Sequence, residues 1–425
     1  MNANLKRLLS RMAGMLLVAM GVFLVTEILW VKAYPWNGPL AAAFFWQPAQ
    51  QLSPAGETAA TFPVVATVGN HVYVAWCGQT TGQDDPFYKR STDGGRTWPA
   101  SATTISSSIG TTSSVLDLAV DSNGGLHFAW VEVTGRPFPQ PSDYRLYYNY
   151  NAANTTLIAE RQYWIVPAIA VTSDKVHVIW EESGARVYYS NKSISGGAWS
   201  PATTIADHGF LHSPDLVADA SDNLYAVWAQ ADPTTSAIYL RKQESGSWQP
   251  SELVADSAME YGQPSVAVDG QNVYALWGER VSQTEHYIVF AKSEDGGSRW
   301  TAQRRIFGPM DTQEPLHFEI SQVAVDSQGR VHLVGHWDPG YNADEIFYSY
   351  LYLEDGVERW WFEPLPDENS DSNVSRSEGL NSRTPSLVVD GTTVHVVWSE
   401  GDSVHYTYGN PSVGSIYLPL ILKSR

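Results

Sequence analysis

The sequence predicts an all-β protein: a seven-bladed β-propeller of four-stranded blades, closed by an N-terminal strand that completes the last blade. The chain is rich in strand-forming aromatic residues, with 17 Trp and 22 Tyr, and in turn-forming Gly and Pro. A two-strand pattern recurs at intervals of roughly 50 to 60 residues, the length that a four-stranded unit requires. The start of the chain also carries one strand that the last repeat lacks.

The chain begins with a predicted hydrophobic helix. Lys6, Arg7 and Arg11 precede an apolar run from Met12 to Val25. This order is typical of a signal peptide or an N-terminal membrane anchor, and it places the rest of the chain outside the cytoplasm, secreted or at the cell surface. The expected domains are a signal peptide or anchor at 1–33, a linker at 34–45, the propeller at 46–410 and an apolar tail at 411–425.

The repeat consists of an apolar strand, a short polar turn and a second strand that ends in Trp. Residues 266–279 and 388–400 are the clearest copies. Other copies centre on Trp76, Trp130, Trp180 and Trp228, and in one more Gly335 takes the place of the Trp. A Tyr-rich third strand, a Gly-containing turn and a further Trp that opens a fourth strand follow. These runs are apolar on both faces, as expected for sheets packed between two neighbouring sheets.

The two ends of the predicted ring complement each other. The last copy, from Pro385 to about Tyr408, has three strands, and residues 46–52 resemble an unattached fourth strand. We therefore expect residues 46–52 to complete the last sheet, which closes the ring and removes an exposed strand edge.

Two turns share a polar pattern. Residues 91–98 read Ser-Thr-Asp-Gly-Gly-Arg-Thr-Trp, and residues 293–300 repeat it with Arg299 in place of the Thr. An Asp carboxylate can accept backbone N–H groups within such a turn, Gly allows positive φ, and Trp packs below the hairpin. We interpret these residues as a folding device: Ser91, Asp93, Gly95, Trp98, Ser293, Asp295, Gly297 and Trp300.

At these turns the chain resembles the sialidase-like superfamily of Asp-box (BNR-repeat) propellers, over roughly residues 46–409. The resemblance implies a ligand site on the face opposite the Asp-boxes, and it offers the six-bladed sialidase ring as the alternative architecture. Sialidases hold the substrate carboxylate with three arginines beside a Tyr–Glu pair and an Asp. The catalytic candidates here are Arg383, Arg280, Arg136, Glu279 and Glu400, whereas Thr61-Phe62-Pro63 lacks the arginine of the family's early motif.

Acidic and aromatic residues are expected on the ligand face. The candidates for ligand binding are Glu132, Glu182, Glu279, Glu400, Trp337 and Tyr341, and Tyr163 and Trp164 fall in loops of the same face. The glutamates follow the repeat tryptophans by two residues, so they either form a ring around the channel mouth or cap strand ends. Aromatic faces stack on sugars and anchor protein partners.

Composition narrows the function classes. The formal net charge of −19 argues against nucleic acid and anionic lipid as partners. The recurring histidines lack metal-ligand spacing, so we expect neither a metal nor another cofactor. The leading hypothesis is a non-catalytic extracytoplasmic propeller that binds a glycan or an extracellular protein, with membrane attachment through the N-terminal segment. The alternatives are a sialidase-like glycoside hydrolase and a structural cell-surface protein.

Overall fold

The structure, a computed structural model, describes most of the chain after residue 43. The described residues are 44–54, 58–79, 84–106, 112–134, 143–162, 164–182, 186–207, 210–232, 235–257, 260–282, 285–311, 319–337, 344–354, 357–361, 373–375 and 380–411. The helix predicted within residues 1–33 lies outside this part, as does the tail after Pro411. Among the described residues, no helix has the length and hydropathy to cross a membrane.

The described elements are strands, which form seven antiparallel sheets. The chain begins with β1 (Phe44–Trp46) and β2 (Gln50–Gln51). Blade 1 contains β3 (Thr58–Val68), β4 (His71–Gln79), β5 (Asp84–Ser91) and β6 (Thr103–Thr104). Blade 2 contains β7 (Thr112–Val120), β8 (Leu126–Thr134), β9 (Asp143–Tyr150) and β10 (Asn154–Arg161). Blade 3 contains β11 (Ile165–Val171), β12 (Lys175–Glu182), β13 (Arg186–Ser193) and β14 (Thr203–Ala206).

The second half of the chain continues the same order. Blade 4 contains β15 (Phe210–Ala218), β16 (Leu224–Asp232), β17 (Thr235–Glu244) and β18 (Ser247–Ser257). Blade 5 contains β19 (Glu260–Asp269), β20 (Asn272–Arg280), β21 (Glu285–Ser293) and β22 (Arg304–Asp311). Blade 6 contains β23 (Glu319–Val325), β24 (Val331–Trp337), β25 (Glu345–Glu354) and β26 (Val357–Trp360). Blade 7 contains β27 (Ser382–Asp390), β28 (Thr393–Glu400) and β29 (Ser403–Pro411). The predicted seven-bladed propeller is confirmed, and the six-bladed alternative is wrong.

The start of the chain completes blade 7, as predicted. Strands β1 and β2 both pair with β29, with Trp46 opposite Gly409 and Gln50 opposite Tyr406. The added strand is split in two around Pro48, which has no N–H to donate. Beyond β2, the Leu52 N–H donates to the Val404 carbonyl at 2.7 Å. One sheet therefore holds both ends of the propeller.

The prolines of the first strands lie inside these strands rather than at their starts. Pro63, Pro214, Pro264 and Pro385 each sit in a β-bulge opposite the repeat Trp of their blade. The first strand of a blade has one unpaired edge, where a residue without an N–H is tolerated. Blade 3 differs, because Pro167 pairs with Trp180 in an unbroken register.

The core lies between the blades. Trp277 of blade 5 packs against Val227, Ile238 and other residues of blade 4. The adjacent Leu276 points to the other side, in a cluster with residues of blade 6. The two-sided apolar pattern in the sequence thus arises because each sheet is covered by two neighbours.

Candidate functional site

The turn at residues 91–98 is organised around Ser91 and Asp93. The Ser91 hydroxyl donates to Asp93 Oδ1 at 2.7 Å and accepts the Gly95 N–H at 3.0 Å. Asp93 also accepts the Thr97 N–H at 2.9 Å and the Thr97 hydroxyl at 2.7 Å. These hydrogen bonds from Thr97 and Ser91 lower the pKa of Asp93 to about 2. Residues 293–300 repeat the Ser and Asp contacts, and the Arg299 N–H replaces that of Thr97.

These turns define one face of the ring, the lower face. The Gly94 N–H donates to the Asn70 carbonyl in the turn between β3 and β4, and Gly296 bonds in the same way to Gln271. Turns between the first two strands and between the last two strands of a blade therefore lie together. At the opposite, upper face the second strands end and the third strands begin, and most of the residues between them lie outside the described ranges.

Two of the predicted ligand-binding glutamates contact their own repeat Trp. The Trp130 indole N–H donates to Glu132 at 3.3 Å, and that of Trp398 donates to Glu400 at 3.0 Å. A buried indole N–H needs an acceptor, so these carboxylates stabilise the core at the upper end of blades 2 and 7.

The other two glutamates form ion pairs with arginines of outermost strands. Glu182 pairs with Arg161 Nε at 2.9 Å, across the boundary between blades 2 and 3. Glu279, only 4% exposed, pairs with Arg305 Nε at 2.6 Å. The Arg305 guanidinium also lies 4.1 Å above the ring of Tyr287. Sequence reasoning missed both arginines, because they come from fourth strands that the repeat pattern does not align with the glutamates.

The candidate arginines have separate partners. Arg383 pairs with Asp344 of blade 6, whereas Arg280 Nε donates to the Ser282 carbonyl in its own blade at 3.3 Å. Arg136 and Tyr341 lie outside the described residues, as does the side chain of Trp337, which ends β24. Of the predicted loop aromatics, Trp164 is described: it is 43% exposed and meets Tyr144 edge to face at 5.7 Å.

The repeat histidines pack within the blades. Nδ1 of His127, His177, His332 and His395 lies 2.6 to 2.8 Å from a tyrosine hydroxyl of the third strand. Burial lowers the pKa of His177 and of His395 to about 4. Within the described residues, no group of three or more His, Cys, Asp or Glu is placed to hold a metal ion.

A cavity of about 400 Å³ lies at the centre of the ring, and we call it the central pocket. Its walls are the bulged parts of the first strands, with Trp164 at the upper-face end of β11. Its polar lining residues are Asp117, Ser213, Asp215, Gln263, Gln322, Thr384 and Ser386. This size falls within the range of small-ligand sites.

Polar side chains of the central pocket tie neighbouring blades together in a ring, which we call the amide belt. At one level of the channel, the edge N–H of every first strand donates to a side chain. The bonds run from Val65 to Ser386, Leu118 and Ile169 to Asp117, Leu216 and Val266 to Asp215, Val323 to Ser265, and Leu387 to Gln322. The two aspartates each serve two blades, because Val64 and Ala168 occupy the matching positions of blades 1 and 3.

Burial raises the pKa of Asp117 to about 7, and the nearby charge of Asp215 raises it further. The two backbone N–H bonds that Asp117 accepts lower the pKa and offset part of this rise. Burial raises the pKa of Asp215 in the same way. Sequence reasoning missed both residues. The available signal was an Asp within an apolar first strand, as in Leu116-Asp117-Leu118 and Pro214-Asp215-Leu216.

The bulges force four non-glycine residues of the pocket wall into the left-handed region. Phe62, Val115, Ser213 and Thr384 have φ between 44° and 50°. This conformation is costly for β-branched Val115 and Thr384, on the order of 1–3 kcal/mol each. All four strained residues line the central pocket.

Comparison with solved structures places the chain among propellers. It is similar to a protein of unknown function from Dyadobacter fermentans DSM 18053, with a TM-score of 0.54 and 13% identity over 87% of this chain and 100% of that chain. It is also similar to a Trypanosoma rangeli sialidase in complex with the inhibitor DANA, with a TM-score of 0.50 and 10% identity over 86% of this chain. The chain spans 60% of the length of that sialidase. No family model and no curated protein sequence matches the chain. The shared feature is therefore the sialidase-like propeller fold.

Proposed function

We propose that this protein is a non-catalytic propeller of the Asp-box kind that binds a glycan at the upper-face mouth of the central pocket. The observation that carries the proposal is a cavity of about 400 Å³ with an exposed tryptophan, Trp164, at its rim. An aromatic face beside hydrogen-bonding groups suits a sugar ring, which has apolar C–H faces and polar edges.

The backbone strain around the pocket supports a binding role. Unfavourable φ/ψ values persist where the surrounding structure holds them, and such residues cluster at ligand sites. Four such residues line this one cavity. The Ser-Asp turns lie on the opposite face, as in the family that the sequence resembles.

The candidate catalytic groups are held in structural contacts. Glu279 pairs with Arg305, Glu400 accepts the Trp398 indole N–H, and Arg383 pairs with Asp344. A general acid or base has to reach a substrate proton, and a substrate-binding arginine needs its fork of donors available. These contacts favour binding over hydrolysis.

One observation favours the sialidase-like alternative. The Tyr287 hydroxyl donates to Glu285 at 2.5 Å beside Arg305, which is a Tyr–Glu pair near an arginine. However, the hydrogen bond to Glu285 raises the pKa of Tyr287, whereas a nucleophilic tyrosine needs a lowered pKa. Arg305 belongs to the outermost strand of blade 5, away from the central pocket. Catalysis by this pair is the weaker candidate.

The location of the protein is a further part of the proposal. The charged start and the apolar run within residues 1–33 support export, so a glycan on or outside the cell is the expected ligand. Membrane attachment through the same segment would keep the propeller at the surface.

The proposal is tested with Trp164→Ala on a glycan array and by calorimetry. We expect the affinity for the bound glycan to fall at least about tenfold, because the stacking surface is lost. Leu253→Ala is the matched control, since Leu253 is 47% exposed on the outer strand β18 and lies outside the pocket wall. Turnover of fluorogenic glycosides that disappears in Arg383→Ala would overturn the non-catalytic assignment.

A further inference from the structure

The ionisable side chains that line the central pocket are acidic. Among its described lining residues, Asp117 and Asp215 are the ionisable side chains, and Lys, Arg and His are absent. The adjoining walls on β3, β11, β19, β23 and β27 contribute apolar side chains, amides and hydroxyls. A ligand in this pocket therefore meets negative charge that no basic side chain of the wall offsets.

The two carboxylates keep room for a further donor. Each oxygen of Asp117 accepts one backbone N–H at 2.8 Å, from Leu118 and Ile169. Asp215 accepts the N–H groups of Leu216 and Val266 and the Ser265 hydroxyl. A carboxylate offers about four acceptor sites, so each group can still accept a hydrogen bond from a ligand.

We infer that the central pocket selects a glycan whose terminal residue carries a free, positively charged amine, and that it disfavours acidic sugars. This inference rests on the glycan-binding function proposed above. An ammonium group places its donors and its charge beside Asp117 and Asp215, whereas a sugar carboxylate would face both of them. Burial weakens the screening of either interaction by solvent.

The ionisation of Asp117 adds a pH dependence to this selection. Burial raises the pKa of this group to about 7, and the charge of Asp215, the other ionisable residue among the described lining residues, adds to the rise. A bound cation favours the charged form of both carboxylates and releases protons. Binding of an amine therefore strengthens as pH rises through 7, until the amine itself loses its proton.

The protein as a whole supports the same preference. Its formal net charge of −19 attracts cations and repels anions at low ionic strength. This long-range effect favours any cation at any part of the surface, so it cannot by itself locate the site. The test must therefore separate the pocket from the overall charge.

The probes are glucosamine oligosaccharides with free amines, their N-acetylated counterparts of the same length, and an oligosaccharide ending in an acidic sugar. Calorimetry with the full chain at pH 7 and low salt, where the amine keeps part of its charge, should show at least about tenfold tighter binding of the free amine than of the N-acetylated form. The acidic sugar should bind more weakly than both.

Gln263 allows the pocket charge to be changed without touching the amide belt, because it lines the cavity but is not one of the belt acceptors. Gln263→Lys should remove most of the preference for the amine, and Gln263→Glu should increase it. Gln271→Lys on the lower face makes the same change in net charge and should leave the preference intact. Thermal melting of each variant checks that the ring remains folded.

The outcomes separate the two proposals. Equal binding of both oligosaccharides, lost in Trp164→Ala, would keep the glycan-binding function and overturn the preference for an amine. Tighter binding of the acidic sugar would also overturn it, and so would an equal response to Gln263→Lys and Gln271→Lys. Failure of every probe and of the glycan array would overturn glycan binding itself.

Discussion

A carboxylate two residues after a buried tryptophan serves different partners in different blades. In blades 2 and 7 it accepts the indole N–H, through Glu132 and Glu400. In blades 3 and 5 it binds an arginine from an outermost strand. The sequence left open whether these glutamates surround the channel mouth or cap strand ends. It could not reveal the partners of Glu182 and Glu279, because these arginines lie 21 and 26 residues away along the chain.

The turn glycines give a prediction for single residues. Gly95 has a φ of +84°, and an added Cβ would lie 1.7 Å from the Tyr406 hydroxyl of blade 7. We expect Gly95→Ala to lower the free energy of unfolding by more than about 2 kcal/mol, through both strain and overpacking. Chemical denaturation measures this change.

Gly94 provides the matched control in the same turn. Its φ is +72°, but the nearest atom to an added Cβ is Arg96 Nη1 at 4.0 Å. Gly94→Ala should therefore show the cost of backbone strain alone, about 1 kcal/mol. Equal losses in the two variants would mean that the contact between blades 1 and 7 contributes nothing at Gly95.

Among the elements, the closing strand was the most predictable. The missing fourth strand of the last repeat and the Trp at residue 46 lie at opposite ends of the sequence, and ring closure brings them together. The bulges were less predictable. The sequence does not show whether a first strand begins at its proline or before it. The additional residue of the bulge becomes visible only in the pairing between the first and second strands of the blade.

Leu52 tests the strength of this closure. Its side chain is 1% exposed and packs in a cluster with Trp76 of blade 1 and Tyr406 of blade 7. Leu52→Ala should lower the free energy of unfolding by about 2–5 kcal/mol, as is usual for a buried leucine. The measurement is equilibrium unfolding in urea.

The neighbouring Gln51 is the control for that variant. It is exposed, and its side chain donates to Ser403 at 3.0 Å. Gln51→Ala should change stability by no more than about 0.5 kcal/mol. If Leu52→Ala lowered the free energy of unfolding by as little as Gln51→Ala, the segment that contains β1 and β2 would not hold the ring closed.

For the whole molecule, the amide belt is the feature that sequence reasoning could not reach. Its acceptors are of three residue types, Asp, Ser and Gln, and blades 1 and 3 carry Val64 and Ala168 at the matching position, so no repeat motif marks them. The ring architecture can be predicted from the spacing of the sequence repeats. A hydrogen bond between neighbouring blades cannot, because it depends on which side chain of each blade reaches the central channel.

Asp117 gives the belt a measurable pH dependence. Because its pKa in the folded state is raised from 3.8 to about 7, the folded state binds more protons than the unfolded state between these values. Its contribution to stability is therefore greatest at low pH and is lost as pH rises towards 7. We expect the difference in free energy of unfolding between the wild type and Asp117→Asn to depend on pH. It should favour the wild type more strongly at pH 4.5 than at pH 7.5, by on the order of 2 kcal/mol.

Unfolding of both proteins across this pH range checks the prediction, since every other titrating group is common to the two. A constant difference between wild type and Asp117→Asn would mean that Asp117 ionises as it does in the unfolded chain.

Asp117 accepts backbone N–H groups from two blades, and this limits how the number of blades can change during evolution. A ring that lost blade 2 alone would leave the Ile169 N–H facing Val64, which has no acceptor to offer. Loss of blades 2 and 3 together would place Val64 before blade 4, where Asp215 already caps its own strand. Loss of blade 2 is thus easier together with blade 3 than alone, because only the double loss leaves an acceptor for every remaining first strand.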